Sequence, residues 1–300
     1  MTNMKKKKIL VIGGTGFLGY HLAKGAIKKK WDVYSFSRKA PPKKRILNKL
    51  KYIYGDTSKK KSFNKLLNKK FNYIINFSGY VDHKNKKKVY EGHFIGCKNI
   101  VDFFLKKNIE AFIQIGSCAE YGKMSSPQNE KAQCKPISHY GKAKNKSSNY
   151  LKKMYKKHQF PFTILRLYQV YGPKQDLNRL IPIVIDACKR KKNFPCSNGN
   201  QLRDFAHIED IVSAIFKVLD IKKSRGKIIN IGSGIPVKIK YVIDTIVSII
   251  KNGKPEYGKI ELRNDEIKTV YPNLYLAKSL LKWKTKIPLI KGLKKTIKTI

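Results

Sequence analysis

The sequence predicts an α/β fold, a doubly wound parallel sheet with a smaller C-terminal lobe. Three observations carry this. The apolar run Ile9–Ile12 breaks into glycines spaced G-x-x-G-x-x-G at Gly13, Gly16 and Gly19, and an apolar helical pattern follows at Leu22, Ala23, Ala26 and Ile27. Strand and amphipathic-helix patterns then alternate, the order that a parallel sheet with right-handed crossovers requires. Beyond Gly172-Pro173 the alternation gives way to helices and polar, Pro/Gly-containing connections.

The first strand, turn and helix form a dinucleotide-type βα unit. Gly13 permits the turn, Gly16 lets backbone approach a pyrophosphate, and Gly19 lets the helix pack on the strand, with the helix N–H groups facing the phosphates. Thr15, Phe17 and Leu18 in the same turn are read as cofactor contacts. The second strand, Val33–Phe36, ends in Ser37-Arg38-Lys39 where an acid gripping a ribose 2′-OH is usual; Asp32 precedes the strand and points away. A Ser-Arg-Lys terminus suits a 2′-phosphate, so NADP is expected ahead of NAD. Lys51–Tyr54 is the third strand. Asp56 follows it where a short acid reaches the adenine ring, with Thr57 beside it. Tyr73–Phe77 is the fourth strand, and Phe77, Ser78 and Gly79 line the cofactor cleft. Ordinary turn chemistry is the alternative reading for Asp56 and Ser78.

A long helix is expected over 89–107, a fifth strand over Phe112–Ile115, a second long helix over 141–158, and strands at Thr163–Leu167 and Lys227–Ile231. Tyr140 and Lys144 lie i, i+4 at the start of the second helix, one turn apart on one face. An ammonium there lowers the phenol from its usual pKa of about 10, so that it can exchange a proton near neutral pH. Y-x-x-x-K arises by chance in a lysine-rich chain, and its weight comes from Ser117. That residue closes the run 111–115, where a serine hydrogen-bonds a reacting oxygen at the sheet's carboxyl edge. The cofactor-binding domain is placed at 1–170 with a return segment near 203–231. The remainder of 171–300 forms the lobe over the sheet's carboxyl edge, with helices at 180–189, near 240–251 and from about Leu289.

Bulk composition limits the partners. No apolar run nears the ~18 residues that span a membrane, and Lys5–Lys8 lead into the glycine loop rather than a signal sequence. Five scattered cysteines without C-x-x-C spacing read as reduced thiols in a cytoplasmic protein with no metal site. The net charge of +47 is overwhelmingly lysine spread along the chain. That reads as compositional drift, with loose polyanion binding at low salt but no specific nucleic-acid partner, since recognition of phosphate and bases exploits arginine.

The chain resembles the extended short-chain dehydrogenase/reductases, the NAD-dependent epimerase/dehydratase family acting on nucleotide sugars. The resemblance rests on Gly13-Gly-Thr-Gly-Phe-Leu-Gly19, Gly116-Ser-Cys-Ala-Glu-Tyr-Gly122, Tyr140-Gly-Lys-Ala-Lys144, Arg166-Leu-Tyr-Gln-Val-Tyr-Gly-Pro173, Arg203-Asp-Phe-Ala-His-Ile-Glu-Asp210 and Asn230-Ile-Gly-Ser-Gly234, and runs on to a tail with Arg263 and Trp283. It implies a Rossmann domain and a sugar-nucleotide ligand in the lobe. It implies substrate contacts from Arg203, Arg263 and Asn178; a surface ion pair is the alternative for an arginine before Asp, as Arg203 is before Asp204. Lys144 would also hold the nicotinamide ribose. Dehydratases of the family carry Asp-Glu after the serine or threonine; here Cys118 and Ala119 stand there, which disfavours dehydration. Glu120 comes one place late, and on a strand that reverses its direction. His93 stands where many members have Asn and reads as a packing residue. The expected activity is NAD(P)-dependent oxidoreduction at C4 of a nucleotide-diphosphate sugar, a 4-ketoreductase of deoxysugar and surface-polysaccharide synthesis ahead of a 4-epimerase. A non-catalytic dinucleotide-binding scaffold is the reading from another class. The family's pairing of the two long helices implies a homodimer. Val101, Phe103, Phe104 and Leu105 on one helix and Tyr150, Leu151, Met154 and Tyr155 on the other exceed what one buried stripe needs.

Overall fold

A strand buried on both faces has no polar side to alternate with, and the opening strand shows it: Ile9, Leu10, Val11 and Ile12 have no exposed surface. The computed structural model describes residues 6–80, 82, 84–262 and 266–300. In chain order it builds β1 (Lys8–Ile12), α1 (Phe17–Lys28), β2 (Asp32–Ser37), β3 (Lys51–Tyr54), β4 (Tyr73–Asn76), α2 (Lys86–Tyr90), α3 (Gly96–Phe104), β5 (Ala111–Ser117), α4 (His139–His158), β6 (Phe162–Leu167) and β7 (Gln169–Tyr171). There follow α5 (Leu180–Lys189), β8 (Asn193–Pro195), β9 (Leu202–His207), α6 (Ile208–Asp220), β10 (Lys227–Ile231), β11 (Pro236–Lys238), α7 (Ile239–Ile250), β12 (Lys254–Glu256), β13 (Thr269–Val270), α8 (Tyr275–Ser279) and α9 (Leu289–Ile297).

The chain divides into two compact units. The first takes Met1–Gly122, Ala132–Arg166 and Val212–Ile229; the second takes Lys123–Lys131, Leu167–Ile211 and Asn230–Ile300. The return to the first unit begins at Val212 rather than near 203. Among the described residues, seven strands form one sheet in the order β10-β6-β5-β4-β1-β2-β3. β1 pairs parallel with β2 and β4, β2 with β3, and β4 with β5. Strand order therefore reverses at β1 and β4, and the carboxyl ends of these neighbours flank the crevice where doubly wound sheets take their ligands.

The core of this unit joins Leu10, Phe36 and Phe112 to Cys97, Ile100, Val101 and Phe104 of α3 and Leu151 and Met154 of α4. Fully burying such a side chain contributes about 1.5–3 kcal/mol. Of the eight apolar residues of which some were expected to face outward, Val101, Phe104, Leu151 and Met154 thus lie in the protein's own core. Phe103, Leu105, Tyr150 and Tyr155 are partly buried against it, and Phe63 stacks on Phe103 at 5.3 Å. The segment Lys60–Leu66, a 3₁₀ turn absent from the sequence reading, brings Phe63 there. The helix expected over 89–107 starts earlier, at Lys86, where Asn85 caps it by accepting from the Lys88 N–H. It passes through a π-helical stretch, Glu91–Ile95, and ends at Phe104.

In the second unit β9 pairs antiparallel with β11 and parallel with β7 and β13, and β8 pairs with β12. Tyr171, Val184, Ile185, Phe205, Val242, Ile246 and Leu293 share its core. No helix among the described residues is long and apolar enough to cross a membrane.

Candidate active site

Gly13 and Gly19 are fixed by the chain's own geometry. Gly13 holds φ +80°, and a Cβ on Gly19 would run into the Gly13 carbonyl oxygen. Gly16 differs: its backbone is ordinary, φ −79°, and a Cβ there would meet only the Gly13 carbonyl oxygen, at 3.3 Å. The open side of Gly16 leaves room for a ligand to lie against backbone. Gly16 is also the N-cap of α1 and supplies no side-chain cap, so the first-turn N–H groups of this twelve-residue helix are left for an anion. Thr15, Phe17 and Leu18 are each partly exposed around this turn. The turn fits a dinucleotide pyrophosphate.

The neighbouring strand ends sort the remaining cofactor candidates. Ser37 is buried; its hydroxyl accepts a long hydrogen bond from the Thr15 N–H (3.4 Å) and lies 3.2 Å from the Ser35 hydroxyl. Arg38 is exposed, donates to the Gly79 carbonyl at 3.3 Å and sits 5.6 Å over the Tyr80 ring. Asp32 opens β2 rather than preceding it and pairs with Lys51 at 2.7 Å. Asp56 accepts from the Ser58 N–H and hydroxyl, the turn chemistry weighed for it. Thr57 is buried, its carbonyl held by Asn99. Phe77 continues the sheet by donating to the Ile12 carbonyl, and Ser78 bonds Asn76 Oδ1 through both N–H and hydroxyl. Gly79 has no room for a Cβ because the His93 ring lies against it. His93, on the π-helical stretch, is buried with Nε2 3.2 Å from the Tyr80 backbone and its ring edge-on to Tyr140 at 5.0 Å.

Ser117, Tyr140 and Lys144 come together at the corner of β5 and α4. Ser138 caps α4 by accepting from the Gly141 N–H at 3.1 Å, so Tyr140 falls in the first turn. Gly141 lets the helix close on the turn after β5, because a Cβ there would strike the Ala119 carbonyl oxygen. Lys144 is buried, donates to the Ile115 carbonyl at 2.7 Å, and lies 5.8 Å from the Tyr140 ring centre. Burial lowers its pKa to about 8, against the opposing pull of the Glu120 carboxylate. Ser117 ends β5 and accepts from the Ala119 N–H at 3.2 Å. With that lone pair engaged, its O–H remains to donate to a ligand oxygen.

Glu120 does not lie on a strand. Residues Cys118–Glu120 form a 3₁₀ turn, so alternation of side-chain direction does not apply to it. Its carboxylate returns to the Ser117 N–H at 2.9 Å as a capping box. The S-x-x-E spacing was there to be read, and the partners that bury the acid, Arg166 at 2.9 Å and Ser148 at 2.6 Å, were not. Behind the site a polar layer crosses the sheet. Asn76 on β4 donates to Gln114 on β5 at 2.8 Å, and Gln114 donates to the same Ile115 carbonyl that receives Lys144.

In the second unit Arg203, on β9, is buried and donates to the carbonyls of Leu202 and Lys268 and to the Glu266 carboxylate. Asn178 is exposed in the turn before α5. Arg263 lies outside the described residues.

Residues 9–232 match the NAD dependent epimerase/dehydratase family. The chain belongs to that family. It is an enzyme family of nucleotide-sugar epimerases and dehydratases, and curated relatives span nearly the whole chain. A Methanocaldococcus jannaschii protein provisionally named UDP-glucose 4-epimerase is 29% identical over 96% of this chain and 97% of its own. The human dTDP-D-glucose 4,6-dehydratase is 26% identical over 97% and 89%. CDP-abequose synthase of Salmonella muenchen is 32% identical over 45% of this chain and 47% of its own. The Thermotoga maritima UDP-glucose 4-epimerase, solved with UDP-glucose, shares the fold at a TM-score of 0.92, with 21% identity over 97% of this chain and 98% of that one.

Proposed function

We propose that this family member moves a hydride and a proton at C4 of a nucleoside-diphosphate sugar, and that it works as a 4-ketoreductase drawing on NADPH. The observation that carries the C4 chemistry is the β5–α4 corner, where Lys144 donates to the Ile115 carbonyl of β5 and lies 5.8 Å from the Tyr140 ring centre on α4, with Ser117 at the end of β5. Bound NAD(P) supplies or accepts the hydride. Tyr140 passes its phenolic proton to the sugar oxygen. The Lys144 ammonium favours the phenolate left behind, and it also holds the nicotinamide ribose. Ser117 donates to the same oxygen. Cys118 and Ala119 offer no carboxyl for proton removal next to C4, which argues against dehydration.

Arg38 favours the reductase. No acid stands at the end of β2 to grip a ribose 2′-OH, and an exposed guanidinium suits a 2′-phosphate. A 4-epimerase is the second reading, favoured by the full-length likeness to proteins named UDP-glucose 4-epimerase. Arg203 and Asn178 are proposed as substrate contacts in either case; Arg203 would exchange its Glu266 partner for the diphosphate. Stoichiometry separates the two reactions. A panel of UDP-glucose, dTDP-glucose and their 4-keto derivatives is incubated with NADPH or NADH. A reductase consumes one reduced cofactor per 4-keto sugar, whereas an epimerase interconverts sugars with no net consumption. Absence of turnover across the panel with either cofactor would count against the C4 reading for these sugars and favour the scaffold reading.

A further inference from the structure

Glu120 has no exposed surface, stands three residues from Ser117, and takes no part in the proton transfer proposed above. Three elements share its carboxylate. Oε1 accepts from the Ser117 N–H where β5 ends, at 2.9 Å. Oε2 accepts from the Ser148 hydroxyl of α4, at 2.6 Å, and from the Arg166 guanidinium of β6, at 2.9 Å. Ser148 lies one helical turn beyond Lys144 and two beyond Tyr140, on the same face of α4. One carboxylate therefore fixes both the rotation and the axial setting of that face relative to the serine. An acid held by several charge-assisted bonds tolerates little displacement, because each lost bond leaves a polar group buried without a partner.

We propose that Glu120 is a positioning residue for the reaction, locking the Ser117 hydroxyl and the Tyr140–Lys144 face of α4 into one register. The inference rests on the roles given above to those three residues. Its charge has a second consequence. The titratable and charged groups around Lys144 are Tyr140 on its own helix, Cys97 on α3, His93 at the π-helical stretch, and Glu120 with Arg166 behind it on β6. Burial pushes the Cys97 thiol up to about 12, so it is neutral near pH 7. Glu120 is the negative charge that opposes the desolvation of Lys144. Without it Lys144 loses its proton at lower pH.

The test compares pH–rate profiles of the full-length protein, using the panel sugar that gives the highest rate, with NADPH affinity followed by fluorescence. Glu120→Gln keeps the shape and removes the charge. It is expected to lower kcat at least tenfold, to leave NADPH affinity within about twofold, and to move the alkaline fall in kcat to lower pH. Ser148→Ala and Glu120→Asp leave the charge in place and disturb only the clamp. Both are expected to lower kcat severalfold with the alkaline fall unmoved. A folded Glu120→Gln with wild-type kcat and profile overturns the inference. So do Ser148→Ala and Glu120→Asp with wild-type kcat, which decides the matter should Glu120→Gln fail to fold. Tyr140→Phe is run alongside. If it retains wild-type kcat, the reading of the site falls and this inference with it. If it is inactive while the clamp variants are normal, the inference about Glu120 falls alone.

Discussion

The β5–α4 corner and the β2–β4 edge face the same crevice end of one sheet, yet they are built on opposite terms. At the corner the polar groups are buried and tied to one another: Lys144 to Ile115, Glu120 to Ser117, Ser148 and Arg166. At the edge, Arg38 is exposed, and among the described residues it makes one long bond to a carbonyl with a ring beside it. A buried network is costly to alter in part, because each orphaned group loses its solvation. An exposed arginine can be exchanged with little effect on folding. On the function proposed above, the first region would hold the chemistry and the second the choice of cofactor, so the second could change without unmaking the first.

The sharpest test of that division is Tyr140→Phe. Loss of the phenol should lower kcat by about 10²–10⁴-fold while leaving dinucleotide affinity nearly unchanged, as single-turnover kinetics and fluorescence titration would reveal. A parallel loss of affinity would mean that the corner also carries binding through Tyr140. Next in size is Arg38→Asp. Charge-assisted hydrogen bonds of about 1.5–3 kcal/mol predict a swing of about 10–100-fold in preference from NADP(H) toward NAD(H), with kcat on the favoured cofactor preserved. Titrating both cofactors into both proteins decides it, and equal wild-type affinities would remove its basis. Smaller still is the effect of pH. Below about 8 Lys144 keeps its ammonium; above it the proton is lost, where an ordinary lysine would hold on to about 10.4. Turnover should therefore fall about tenfold per unit as pH rises past this point, with Arg38→Asp showing the same profile. A fall set only near 10 would contradict the burial of Lys144.

The smallest effect expected is on self-association. We propose a homodimer through the α2–α3 segment and α4, and the outward face adds Tyr90 and Phe94 to Tyr150. Tyr90 is 38% exposed, and Phe94 and Tyr150 lie partly exposed nearby, with Lys98 and Lys146 over their rings. Sedimentation across a salt series should show association tightening severalfold as screening shortens the reach of the +47 charge. A monomer at every ionic strength would end the proposal.

The central strands of the sheet were legible because they are buried on both faces, and apolar runs such as Ile9–Ile12 and Tyr73–Ile75 have few other homes. The glycine turn was legible because its spacing encodes backbone geometry directly, as Gly13 and Gly19 show. The short strands of the second unit were missed. β8 reads Asn-Phe-Pro and β13 is two residues long, too little for any periodicity to register. At the corner, Tyr140 and Lys144 could be singled out from helical spacing once Ser117 was read at the end of the preceding strand. Glu120 could not: its burial depends on Ser148 and Arg166, which are 28 and 46 residues away, and no local pattern records a partner at that distance. Which of the eight apolar residues on the two helices face outward was not legible for a related reason, since only the folded chain sorts Val101, Phe104, Leu151 and Met154 into the core and brings Phe63 onto Phe103.

Asn76 and Gln114 face each other as register partners on adjacent central strands, each enclosed; the Asn76 amide N–H donates to the Gln114 carbonyl oxygen, and the Ser78 N–H and hydroxyl and the Ile115 carbonyl satisfy the rest. Had both been valines, β4 and β5 could slide by two residues and still present apolar faces to the helices. With amides, any slid arrangement leaves a carbonyl and an NH₂ stranded in a dry interior, at a cost of about 1–3 kcal/mol for each group. The pair acts as a checksum on the assembly of the sheet. It penalises slid alignments, and since Gln114 also donates to the Ile115 carbonyl that receives Lys144, a sheet in the native register presents this acceptor already in its place.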